Sequence, residues 1–121
     1  MKSAIIAFGI TIAAAAYAAG PYDGTWVGIG PATEQCRYPL SIEMNIVNNQ
    51  VIGTVRAQDS TGAPISGSIL PGATVGPDGV TAMYLGDKRR APVSIRFSGD
   101  GFEGTMQGNC GTRPISGSRR R

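Results

Sequence analysis

Between positions 40 and 47 the chain reads Leu-Ser-Ile-Glu-Met-Asn-Ile-Val, and apolar Leu40, Ile42, Met44 and Ile46 alternate with polar Ser41, Glu43 and Asn45. A strand sends successive side chains to opposite faces, so this period of two marks a half-buried β-strand. Eighteen Gly and eight Pro are spread between further short β-branched runs, the pattern of many short strands joined by turns. Beyond residue 18 no segment shows a helical period. The reading is all-β, with strands predicted at 25–30, 40–47, 51–58, 65–70, 80–85, 92–98, 102–108 and 115–120.

The turns carry their own chemistry. Asn48-Asn49 suits the positive φ of a two-residue hairpin, and Gly99-Asp100-Gly101 is a tight turn. A weak motif, an apolar residue followed by any residue, Gly and then Ser or Thr, recurs at Val51, Ile65, Phe102 and Ile115. Each Gly then shares a face with the apolar residue two before it, where it lets a strand bend or a large side chain approach.

The first eighteen residues read as a signal peptide, leaving 19–121 as a single domain. Met1-Lys2-Ser3 is a short positive start, residues 4–16 are uncharged and apolar, and Ala16-Tyr17-Ala18 places small residues where a signal peptidase reads. Thirteen residues of helix rise only ~20 Å, against ~30 Å of bilayer hydrocarbon, so an anchor is not expected. The expected compartment is the periplasm or the exterior. There Cys36 and Cys110 should form a disulfide.

Strand parity supports that bridge. In an up-and-down meander successive connections alternate between two ends, and six predicted strands separate the connections holding Cys36 and Cys110. Both thiols therefore fall at one end, and closure of strand eight on strand one makes them neighbours. The expected fold is a small eight-stranded up-and-down antiparallel barrel. Trp26 belongs at the other end, where Arg119, on the same face as Ile115 and Gly117, can cap the indole as a cation–π partner.

Gly24-Thr25-Trp26 at the head of the first strand, with an Arg on the last, resembles the Gly-x-Trp signature of lipocalin-like and avidin-like barrels, the calycins. Asp23 to Gly28, Cys36, Phe102-Glu103-Gly104-Thr105 and Cys110-Gly111 together resemble a family of small exported proteobacterial proteins that implies no function. The lipocalin second signature is missing, and the biotin-contacting residues of avidins have no counterpart that can be placed.

Chemistry is sparse. The chain has no His, which removes the commonest general base and metal ligand. Asp59, Asp78, Asp87 and Asp100 sit in turns, where Asp is used for local hydrogen bonding. Gly28-Ile29-Gly30 lacks the third Gly and following helix of a phosphate loop. No catalytic residue, metal or cofactor is expected, and the protein is read as a non-enzyme.

Two binding readings remain. An eight-stranded barrel can hold one small apolar ligand, but its interior should already contain Trp26, Leu40, Ile42, Met44, Ile46, Ile69, Tyr84, Ile95, Phe97, Phe102 and Met106. The favoured reading is an exported envelope binding module. It should meet an envelope protein or an anionic glycan or lipid through Arg37, Lys88, Arg89, Arg90 and Arg113 at the disulfide end. The formal net charge of +3 does not by itself indicate nucleic acid. The strands are too short to span a membrane as a barrel.

Overall fold

The computed structural model describes residues 20–58, 61–86, 90–108 and 110–120, with Arg90 described by its backbone alone. The expected signal peptide, Lys88 and Arg89 lie outside the described residues. Eight strands follow in chain order: β1 (Gly24–Gly30), β2 (Leu40–Val47), β3 (Gln50–Gln58), β4 (Pro64–Ile69), β5 (Val80–Gly86), β6 (Arg90–Ser98), β7 (Gly101–Gly108) and β8 (Gly111–Arg119). Each pairs antiparallel with the next, and β8 returns to β1, so the sheet closes into one up-and-down barrel.

The predicted alternation holds along β2, whose Leu40, Ile42, Met44 and Ile46 are all buried. Its hairpin to β3 is made by Asn48 and Asn49, both at positive φ (53° and 66°), as a two-residue turn between twisted strands requires. The Asp23 carboxylate, just ahead of β1, accepts the amides of Asn48 (2.9 Å) and Asn49 (3.2 Å) and fixes the entry of the chain against this turn.

The largest difference from expectation is β8, which begins at Gly111 rather than at residue 115 and so contains Thr112, Arg113 and Pro114. Pro argues against a central strand because it lacks an N–H. Here Pro114 pairs with Thr105 of β7, while the β1–β8 register runs only from Trp26–Arg119 to Ile29–Ser116. Pro114 thus lies where β8 has run past its β1 partner and no ladder bond is needed. Pro92 follows the same rule in β6: it pairs with Tyr84, whereas the β6–β7 register starts at Val93.

Register also sets the width of the barrel. Stepping from Trp26 to Met44 and on through each successive pairing, the path returns to the line of β1 at position 34, a stagger of eight residues (34 − 26). Eight strands with a stagger of about eight enclose a space that side chains fill, as in the core of a (β/α)8 barrel. Trp26, Met44, Ile46, Val51, Ile95, Phe97 and Ile115 occupy it with 2% exposure or less.

Glycine makes the packing possible at one tight point. Gly28 of β1 and Gly117 of β8 are register partners, and Phe102 of β7 pairs with Gly117. A Cβ on Gly28 would stand 2.5 Å from the Phe102 ring, and one on Gly117 would stand 2.6 Å from that ring and almost on the carbonyl oxygen of Val27. The aromatic ring occupies the volume that two missing side chains leave.

The expected interior set is buried with one correction. Tyr84 is 47% exposed, because Thr81, Met83 and Leu85 supply the inward phase of β5. Thr81 misleads a sequence reading: a polar residue at that phase is tolerated since its hydroxyl donates to Thr74 O at 2.7 Å.

Candidate functional site

Each mouth of the barrel is closed by an arginine from β8. At the end where β1 begins, Trp26 is fully buried, its Nε1–H donates to Tyr22 O at 2.8 Å, and Phe97 meets it edge-on with centroids 4.8 Å apart. The Arg119 guanidinium lies 4.7 Å from the indole centroid, as the sequence suggested. Arg119 also donates to the Asp100 carboxylate at 3.0 Å, to Asp23 O at 2.9 Å and to Gly99 O at 3.3 Å. These bonds join the chain entry, the β6–β7 turn and the last strand.

Asp23 belongs to the same cluster. Burial by itself would raise its carboxyl, but the amides of Asn48, Gly20 and Asn49, helped by the Arg119 charge, outweigh this and hold it below the ordinary Asp value of 3.8.

At the opposite end the Cys36–Cys110 disulfide joins the β1–β2 connection to the β7–β8 turn, with Cα atoms 5.2 Å apart. Arg113 holds the same connection a second time. Its Nη2 lies within hydrogen-bond distance of the carbonyls of Gly30 (2.8 Å), Pro31 (2.9 Å) and Tyr38 (2.9 Å). Only 4% of the residue is exposed, and its Nε has no partner among the described residues. Desolvation lowers the Arg113 pKa, yet a guanidinium stays charged in a protein.

Of the five cations assigned to one surface, the described residues include Arg37, Arg113 and the backbone of Arg90. Arg113 is withdrawn from it: the early start of β8 puts Arg113 in phase with Ile115, facing inward, where the carbonyls of the connection neutralise its donors. Arg37 is exposed on the connection itself. Arg90 opens β6 opposite Gly86, at the disulfide end by topology, while Lys88 and Arg89 lie outside the described residues. The sequence did hold a signal for Arg113, since Arg113, Ile115, Gly117 and Arg119 share one parity; the intervening Pro114 obscured it.

Among the described residues, two of the shallow depressions open to solvent on the outer wall are lined by polar side chains. One lies over Ser41, Glu43, Thr54 and Arg56, the other over Ser94, Arg96, Glu103 and Thr105. Each sets one Arg and one Glu among hydroxyls, a surface able to exchange hydrogen bonds with a polar partner. Among the described residues no group of three or more His, Cys, Asp or Glu could hold a metal ion. No protein-family model matches the chain, and no curated protein and no solved structure matches it.

Proposed function

We propose that the chain is an exported, non-catalytic binding module of the cell envelope, recognising a protein or an anionic envelope component through the loops at its disulfide end. The observation that carries this reading is a barrel whose interior is occupied by side chains and whose two mouths are held shut by Arg119 and Arg113. Recognition is left to the outside. The alternative, an apolar ligand within the barrel, needs a cavity of at least ~300 Å³, and buried side chains fill the corresponding space. A disulfide is consistent with a compartment outside the cytoplasm.

Arg37 and the Lys88-Arg89-Arg90 run supply the positive charge on the connections at that end. A rigid scaffold presenting charged loops is a common arrangement for recognition. The test is binding to an anionic glycan and to anionic lipid at two ionic strengths, since an electrostatic contact weakens as salt rises. Replacement of Lys88, Arg89 and Arg90 by Ala should abolish the salt-dependent part of binding. Unchanged affinity in that variant would refute the reading.

A further inference from the structure

The β2–β3 and β6–β7 hairpins correspond residue for residue at an offset of 51 positions (104 − 53). Each has a two-residue turn, and Met44–Gly53, Ile46–Val51 and Val47–Gln50 in the first register recur as Ile95–Gly104, Phe97–Phe102 and Ser98–Gly101 in the second. The two glycines serve one purpose. A Cβ on Gly53 would overlap the carbonyl oxygen of Glu43, and one on Gly104 would overlap that of Ser94, the corresponding residue. Each strand therefore bends at its Gly. On the convex outer side a bend spreads the side chains apart, and at both hairpins a depression lies there, over the register pairs Glu43–Thr54 and Ser94–Thr105.

The two depressions reach one set of side chains from different positions. Val27 joins Ser41, Glu43, Thr54 and Arg56 at the first, and Val80 joins Ser94, Arg96, Glu103 and Thr105 at the second. Each thus offers one carboxylate, one guanidinium, two hydroxyls and one small apolar side chain, although only Thr54 and Thr105 are the same residue at corresponding positions of the hairpins. A further strand cannot add here, because β2, β3, β6 and β7 each have a neighbour on both sides. An anion would meet Glu43 or Glu103, and an apolar ligand would strip water from four polar groups. The acids are balanced locally: Arg120 lies 4.0 Å from Glu43, and Arg96 is the register partner of Glu103. A sugar ring suits all five side chains, since its hydroxyls donate to a carboxylate and accept from a guanidinium while its C–H face rests on Val.

We infer that the two depressions are a pair of like sites for a neutral oligosaccharide, held by Glu43 and Arg56 on one wall and by Arg96 and Glu103 on the other. The hairpins are four strands apart in a closed eight-stranded barrel, so the sites face opposite sides and one rigid molecule can hold two separate glycan chains. This surface is distinct from the cationic loops of the proposed function and stands or falls separately.

The experiment is an amide NMR titration of disulfide-intact protein with maltotetraose, cellotetraose and chitotetraose. Wild type is compared with E43A, E103A and K88A/R89A/R90A, and Trp26 emission checks that each is folded. At least one of these chains should shift the amides of Glu43 and Thr54 together with those of Ser94 and Thr105. E43A should weaken binding at the first wall by at least about 10-fold and leave the second unchanged, E103A should do the reverse, and K88A/R89A/R90A should bind as wild type does. No wall shift with any of the three chains overturns the pair of sites. Shifts at one wall alone, or shifts that E43A and E103A both leave intact, also overturn it. Salt-dependent binding of an anionic glycan that K88A/R89A/R90A abolishes, with no wall shift from the neutral chains, overturns the pair and leaves the proposed function standing. Neutral chains at both walls, with anionic binding unchanged in K88A/R89A/R90A, support the pair and overturn the proposed function.

Discussion

Arg113 and Arg119 stand on one face of β8, six residues apart, and their guanidinium groups close opposite mouths of the same barrel. At ~3.3 Å per residue that separation is ~20 Å, about the height of the sealed interior. The environments differ. Arg119 is partly exposed and paired with Asp100, whereas Arg113 is buried among carbonyls with no carboxylate partner among the described residues.

The two should therefore respond differently to truncation. Arg113→Ala removes the donor from three carbonyls and opens a void, so a loss of roughly 2–4 kcal/mol is expected in urea unfolding at neutral pH. Arg119→Ala, at a partly solvated site, should cost roughly 1–2 kcal/mol. Trp26 emission should shift to the red only in the Arg119 variant, because Arg119 lies over the indole. Equal losses, or a red shift in both, would contradict the two-plug arrangement.

Gly117→Ala should be among the most damaging single changes in the chain. The new Cβ would overlap the backbone carbonyl of Val27 as well as the Phe102 ring, and a backbone atom cannot rotate away. A loss above ~3 kcal/mol or failure to fold is expected, without rescue by Phe102→Leu. Gly108→Ala is the control: nothing lies within 4 Å of its Cβ position, and the change should stay within about 0.5 kcal/mol. Thermal unfolding of both variants checks this.

Reduction of Cys36–Cys110, which are 74 positions apart, frees a long loop in the unfolded chain. The chain-entropy model gives about 4 kcal/mol for such a loop. The native connection keeps its Arg113 contacts, so the reduced protein should still fold, with a lower urea midpoint. Combining Cys36→Ser with Arg113→Ala should cost more than the sum of the single changes, since both hold one connection.

Acid should expose the role of Asp23. Its carboxyl is held below 3.8 in the folded protein, so the unfolded state takes up protons first as pH falls. The stabilisation is complete above the unfolded value of about 3.8 and disappears as pH drops through the lower folded value. Asp23→Asn should lose roughly 1–2 kcal/mol at neutral pH and show a flatter stability profile below pH ~4. Urea midpoints measured from pH 2 to 7 provide the comparison.

Strand positions and closure were legible from local chemistry. Alternation located β2 to the residue, Asn48-Asn49 marked its turn, and the parity of Cys36 and Cys110 pointed to an even number of strands between them. The Trp26–Arg119 contact also followed, because both residues lie in the first and last strands at one end. These inferences use only the strand period and the order of turns, which neighbouring residues fix by themselves.

Tertiary structure decided which way each side chain faces where local chemistry is ambiguous. Tyr84 faces out because Met83 and Leu85 find the core and Thr81 finds Thr74 O. Arg113 faces in because β8 extends past its β1 partner, making Pro114 harmless and bringing the carbonyls of Gly30, Pro31 and Tyr38 within reach. Those carbonyls come from a segment more than seventy residues away. A sequence alone displays a cation beside a proline; only the closed register shows that this cation has a buried seat.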